Sequence, residues 1–161
     1  MAAVVDLTEL YDASYGRLVV QLYAICGDMA AAEDAVQDAF VTAIRKSRQL
    51  AHVNNPEAWI RTVAVNRVRA GWRHASVVRR LVPKVPGPQV PVEVGPHHVA
   101  LVAALARLDL DLRLVVVLHH VADLGTAEIA RQLGIPEGTV KSRLSRGRAR
   151  LAGLLDDREL T

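Results

Sequence analysis

The chain carries a single cysteine, Cys26, among 161 residues. That excludes an internal disulfide and any zinc site built from cysteine alone, and it suits a reducing cytoplasm. Aromatic residues make up only 4%, and the apolar content is mostly Ala, Val and Leu, which favours close helix packing over a large ligand cavity. There is no run of about 18 apolar residues, and the opening MAAVVDLTEL lacks a basic segment leading into an apolar one. A membrane span, a secretion signal and any membrane contact of the chain's own are therefore not expected; a soluble, cytoplasmic protein is. Catalytic patterns are missing too. His97-His98 and His119-His120 are adjacent pairs, and neighbours cannot share one helix face as a HExxH zinc site requires. In GIPEGTVKS the lysine does not follow the second glycine, and no strand precedes it, so a phosphate loop is not expected. No serine or cysteine stands in a nucleophile elbow. The expectation is no enzyme, no metal and no cofactor.

Acidic residues are absent from two long stretches, and this is the first positive signal. Residues 58–92 contain none, against Arg61, Arg67, Arg69, Arg73, Arg79, Arg80 and Lys84. Residues 139–155 contain none, against Lys141, Arg143, Arg146, Arg148 and Arg150. Residues 2–40, in contrast, hold seven acids and one base, Arg17. Either basic block alone reads equally well as a solvated helix face. Two of them behind an acidic lead suggest a polyanion touched at two places.

Five of the seven prolines fall in PKVPGPQVPVEVGP, residues 83–96. Such a stretch cannot continue a helix or an interior strand and reads as a flexible, semi-extended linker. It predicts two small helical domains, residues 1–77 and 99–161, around a tether at 78–98. The fold class is all-α. In the first half, residues 7–25 carry Leu7, Leu10, Tyr11, Leu18, Gln21, Leu22 and Ile25 near a 3.6 spacing. A second helix is expected over 30–50, with Val36, Phe40, Ala43 and Ile44 on one side. Asn55-Pro56 then opens a third, an N-cap followed by proline at the first helical position, running to about His74. In the second half, residues 99–108 and 112–122 are apolar-periodic and a shorter pair follows. RLVVVLHHV would pass for strand in isolation, but its neighbours favour helix.

The most specific local pattern is GTAEIARQLGIPEGTVKSRLSRGRARL. A short helix from about Thr126 ends at Gly134, which supplies a positive φ, and Pro136 opens the next. In the second helix Val140, Leu144, Gly147 and Leu151 share one face, opposed by Thr139, Ser142, Ser145 and Arg146 and flanked by Lys141, Arg143, Arg148 and Arg150. This is the layout of a helix-turn-helix whose second helix enters a major groove. Arg and Lys bridge phosphates there, and Ser, Thr and Arg near the N-terminal half reach base edges. The competing reading is a helical hairpin with a basic outer face.

On the third helix Thr62, Asn66, Arg69 and Arg73 form one stripe at about 100° per residue. Val65, Val68 and Trp72 add a second apolar strip that a lone surface helix does not need. Trp72 reads as either core or a stacking ring for single-stranded bases, whereas Trp59 reads as core. On the second helix Asp34, Asp38, Val41 and Arg45 share a face beside Gln37. Acids near a helix N-terminus are ordinary dipole partners; an exposed Val41 among them hints at a protein interface.

AEDAVQDAFVTAIR, NPEAWIRTVAVNRVRAGWRH and EIARQLGIPEGTVKSRLSRGRARL, in this order across a linker, resemble the extracytoplasmic-function (ECF) sigma factors of the sigma-70 family. The last motif alone also fits response regulators; the three together are far more specific. The resemblance implies region 2 and region 4 domains and no catalysis by the factor itself. It implies that Asp34, Gln37, Asp38 and Val41 dock on the β-prime clamp helices of core RNA polymerase, with the β flap as a further contact. It implies that Asn54, Asn55, Arg61, Thr62, Asn66, Arg69, Trp72 and Arg73 serve the minus-ten element, where a base is flipped out. Thr139, Lys141, Ser142, Arg143, Ser145, Arg146 and Arg148 would read the minus-thirty-five element as promoter duplex. The tether would thread toward the polymerase active-site and RNA-exit channel, and an anti-sigma factor would hold the protein inactive. The chain departs from the family's usual residues at Val65, Ala70, Gly125 and Asp109, with Thr126 expected to cap in place of the serine usual at Gly125, and its linker is basic. Because it ends soon after region 4, no appended ligand-binding domain is expected. Two other classes stay open: a stand-alone helix-turn-helix regulator with a dimerising or ligand-sensing N-terminal domain, which leaves the Thr62–Arg73 stripe idle, and a small helical enzyme or metal-binding protein.

Overall fold

The computed structural model describes residues 4–78 and 95–159, with side chains through Trp72 in the first stretch and through Asp156 in the second. All regular structure among these residues is helical, and the chain divides into two units between Val92 and Glu93. Most of the expected tether, residues 79–94, lies outside the described residues.

Unit 1 is built from α1 (Leu7–Cys26), α2 (Met29–Arg45), a single turn α3 (Ser47–Leu50) and α4 (Pro56–Val78). Each long helix is bounded by local chemistry. The Asp6 carboxylate accepts from the Thr8 and Glu9 amides and starts α1; Gly27, at φ 72°, ends it. Asp28 caps α2 through the Ala31 amide, and Asn55 caps α4 through the Ala58 amide at 3.1 Å. The helix expected over 30–50 breaks at Lys46, whose φ of −108° and ψ of 31° leave the helical region, so Leu50 can turn back into the core.

The alanines Ala32, Ala35, Ala39 and Ala43 are buried along α2, and α2 packs against both α1 and α4. Short side chains there allow close approach. Leu18, Val19, Leu22 and Ile25 of α1, Val36 and Phe40 of α2, and Ile60, Ala64, Val65 and Val68 of α4 are all buried, and α1 packs on both other helices. The second apolar strip of α4 is therefore packing: this helix covers α1 as well as α2. Ile44 departs from its expected core place and is 63% exposed.

Glu33 is buried on α2 at 5% exposure. Desolvation, and secondarily the charge of Asp34, hold its carboxyl above the usual range. The folded state thus binds the proton more tightly than the unfolded chain, so ionising Glu33 costs stability at neutral pH and the cost is relieved as pH falls into the acid range. Glu33→Gln is expected to raise the melting temperature at pH 7 by about 2–4 °C, a change of under about 1 kcal/mol. The gain should shrink at pH 4; thermal scans at both pH values check this.

Unit 2 comprises α5 (Pro96–Leu105), α6 (Leu110–His120), α7 (Thr126–Leu133) and α8 (Glu137–Glu159). α5 starts three residues before the expected 99, because Pro96 at the first turn gives up an amide that has no helical partner anyway. RLVVVL lies in helix. It lacks amphipathic alternation because Leu112 through Leu118 are all buried, with α7 and α8 packed on this helix. Within it Arg113, 4% exposed, donates to the carbonyls of Leu105, Ala106 and Leu108 at 2.9, 3.1 and 2.9 Å. A guanidinium from α6 thereby closes the C-terminus of α5. Gly147 allows α8 to press on α6: a Cβ there would stand 2.6 Å from Val116 Cγ2.

Candidate nucleic-acid interface

In unit 2 the turn between α7 and α8 forms as the sequence implies, with Gly134 at φ 66° and its amide bonded to the Ala130 carbonyl. Ile129 and Leu133 of α7 and Val140, Leu144 and Gly147 of α8 are buried together. This fixes the rotation of α8. Ser142, Ser145 and Arg146 project to solvent on the opposite arc, and Thr139 is half-buried beside them. Lys141 pairs with Glu137 at 3.7 Å, one turn earlier. Arg143 is only 24% exposed and leans on Asp111 of α6 at 3.9 Å. Arg148 donates through Nε to His120 Nε2 at 3.1 Å. His120 accepts as the neutral ring, since desolvation, then the neighbouring His119 and Arg148, push its pKa below the ordinary value. Of the seven α8 residues expected to meet DNA, Ser142, Ser145 and Arg146 are thus free of intramolecular ties shown for the other cations, and Lys141, Arg143 and Arg148 are braced on the two flanks.

One residue in this region, Glu137, had no sequence signal. Gly125 is the N-cap of α7 without a side-chain bond, so the expected Thr126 cap does not form. Instead the Thr126 hydroxyl donates to Glu137 Oε1 at 2.7 Å and ties the start of α7 to the start of α8. Glu137 is the acid that completes this link, eleven residues away in sequence.

In unit 1 the α4 stripe is partly as expected. Asn66 is exposed, Thr62 and Arg69 are half-buried, and the side chain of Arg73 lies outside the described residues. The Thr62 hydroxyl returns to the Ala58 carbonyl at 2.9 Å. Asn54 is exposed before the helix, whereas the side chain of Asn55 is spent on the cap. Trp59 and Trp72 are both half-buried, and Trp72 lines a groove with Cys26, Asp34, Asp38 and Arg67.

Arg61 is a correction. It was expected among the minus-ten contacts, yet it is 5% exposed, with Nε bonded to Gln21 Oε1 at 2.8 Å and a terminal nitrogen 4.0 Å from Glu57. Glu57 in turn accepts from Arg17 at 2.5 Å. Helical rotation carries Arg61 about 140° away from Asn66, onto the side that packs on α1. Arg61→Met is expected to cost about 2 kcal/mol, since it leaves Gln21 buried without its partner. Arg69→Ala should leave stability within about 0.5 kcal/mol and weaken DNA binding instead. Urea titration beside a DNA-binding assay separates the two.

On α2 Asp34 and Val41 are exposed, Asp38 is 43% exposed, and Gln37 donates to the Tyr15 hydroxyl at 3.2 Å. Val41 and Ile44 rim an apolar groove floored by Leu7, Tyr11 and Phe40. Tyr11 stacks on Tyr15 at 4.6 Å and meets Phe40 edge-on at 4.9 Å. Among the described residues no group of three or more His, Cys, Asp or Glu could hold a metal ion, and no helix is long and apolar enough to cross a membrane.

Residues 10–77 match the family model of Sigma-70 region 2, and residues 98–151 match that of Sigma-70, region 4. The ECF RNA polymerase sigma factor SigL of Mycobacterium tuberculosis is 34% identical over 146 residues, covering 86% of this chain and 82% of SigL. SigM of the same organism is 36% identical over 128 residues, covering 77% of this chain; the match spans 64% of SigM, just under two thirds of its length. In fold, the chain resembles the sigma factor RpoE solved with the anti-sigma factor NepR from Bartonella quintana. That match has a TM-score of 0.76 and 24% identity and covers 94% of this chain and 97% of that one. CnrH, solved with the cytosolic domain of CnrY, gives a TM-score of 0.63 and 23% identity, over 94% of this chain and 88% of that one. With both regions matched in order, and a relative covered over most of its length, the chain belongs to the ECF sigma factors of the sigma-70 family.

Proposed function

We propose that this protein is a transcription initiation factor that recruits core RNA polymerase to promoters and performs no catalysis itself. The observation that carries the reading is the pairing of two separately packed helical units, each presenting a helix from an acid-free, basic stretch of sequence to solvent. Ser142, Ser145 and Arg146, with Thr139 beside them, read the minus-thirty-five duplex in the major groove, and Lys141, Arg143 and Arg148 brace or contact the phosphates. Asn54, Thr62, Asn66 and Arg69, joined by Arg73 and the Trp72 edge, hold the minus-ten strand with its flipped base. Asp34, Gln37, Asp38 and Val41 dock on the clamp helices, and unit 2 meets the β flap. The domains are residues 1–77 and 99–161, and the tether between them crosses the polymerase. The protein acts in the cytoplasm, where an anti-sigma factor holds it inactive. The solved sigma factors RpoE and CnrH were each captured with a second protein, for RpoE a named anti-sigma factor, which supports this last reading.

A regulator acting without polymerase is disfavoured by the half-exposed acids and apolar groove of α2, which such a protein leaves unused. The test mixes purified protein, core polymerase and genomic DNA fragments. Specific start sites are expected only when all three are present, whereas DNA shifts without polymerase would favour the regulator. Arg146→Ala is expected to lower minus-thirty-five-dependent initiation by about 5- to 100-fold, the worth of one base-reading arginine, at unchanged core affinity. Asp38→Lys should loosen core binding; equal affinity for that variant would remove α2 from the docking surface.

A further inference from the structure

We propose that Arg67 is a promoter-backbone contact that the free protein keeps engaged with Asp38, so that polymerase docking and DNA capture each release the group the other needs. This rests on the sigma reading above and assigns it a residue and a coupling that the sequence pattern did not single out.

Arg67 lies in the acid-free stretch, 59% exposed, one residue after Asn66. On the helix it stands about 100° round from Asn66, toward α2, while Arg69 stands about 60° round the other way. The exposed arc of α4 thus has a guanidinium on each rim. Arg69 belongs to the expected stripe. Arg67 instead points its Nε at Asp38 Oδ2 across 2.7 Å. Asp34, Asp38, Arg67 and Trp72 all line one groove of about 280 Å³ between α2 and α4. One wall is the proposed docking face, and the other is the proposed DNA-facing helix.

The pair is not what joins the helices. Ala35 and Val68 are buried beside it where α2 packs on α4, and both charged groups remain open to water. Exchange of partners is therefore cheap. A guanidinium takes a phosphate through the same donor fork as a carboxylate, and Asp38 accepts equally from a basic residue of a docking partner. Whichever ligand binds first breaks the pair, so the second no longer has to. Linkage makes the help mutual. An exposed ion pair sets its size at about two- to fivefold in each affinity.

The experiment titrates core polymerase against the labelled full chain for wild type, R67Q, D38N and the double variant, then measures promoter binding by each holoenzyme across a salt series. R67Q is expected to tighten core binding about two- to fivefold, with no such gain in the D38N background. Its holoenzyme should bind promoter more weakly, with the log–log salt slope shallower by about 0.7–0.9, the signature of one lost phosphate contact. R67K should restore the slope. Unchanged core affinity in R67Q overturns the coupling, and an unchanged slope overturns the phosphate contact. Failure of the wild type to bind core would instead overturn the sigma reading itself, and the coupling with it.

Discussion

Arg113→Met is expected to destabilise unit 2 by about 3 kcal/mol, although the position looks like one more place in an apolar helix. The substitution keeps most of the side-chain length but removes donors to three carbonyls at the end of α5. Two of those bonds are buried, at Leu105 and Leu108, and water cannot easily replace the guanidinium there. A hydrogen bond from a charged donor is worth about 1.5–3 kcal/mol, and a buried carbonyl left alone costs about 1–3 kcal/mol. Small domains hold little reserve against such a loss. Chemical unfolding of the full chain should show an early transition, and hydrogen exchange should speed up first in α5 and α6. Arg113→Lys is expected to recover only part, because one ammonium cannot span three carbonyls as a planar fork does. Wild-type stability for the methionine variant would sink the argument.

Gly147→Val should have a comparable effect from the opposite cause. Even a Cβ would lie 2.6 Å from Val116 Cγ2 and 3.6 Å from the Leu112 carbonyl oxygen, so α8 must move away from α6 or Val116 must change rotamer. Overpacking of this kind costs about 1–3 kcal/mol, and valine adds two methyls to the overlap. α8 is also the proposed recognition helix, so displacing it should lower promoter binding even where the unit still folds. Val116→Ala alone is expected to destabilise by about 1–2 kcal/mol through a cavity. Combined with Gly147→Ala it should restore part of the loss, giving a favourable coupling energy in a double-mutant cycle. Additive effects of the two changes would mean that the helices do not meet at Gly147.

Much of the architecture was legible because it rests on short-range chemistry. Asn55-Pro56, Gly27-Asp28 and Gly134 with Pro136 announce helix boundaries through capping and φ preferences that need no tertiary context. The face Val140, Leu144 and Gly147 was legible for a related reason: α8 gathers its contacts with α6 and α7 on a single apolar stripe. α4 and α6 were harder to read, because each is buried on more than one face. α4 therefore carries two strips, and the apolar run of α6 passes equally for strand. Arg61, Arg113 and Arg67 show what composition hides. All three are arginines in or near basic or apolar runs, and nothing local separates a core tie, a helix cap and a surface cation.

The sequence by itself determined the helical class, the two-part layout implied by the proline cluster, the helix-turn-helix and the location of the basic faces, because each follows from spacing, capping and charge along one segment. Tertiary structure alone decided which cations look outward. Burial against α1 turned Arg61 into an internal tie to Gln21, the carbonyl-rich end of α5 claimed Arg113, and the approach of α2 to α4 set Arg67 beside Asp38. A guanidinium goes to the best acceptor within reach, and that acceptor lies on another helix, far away in sequence.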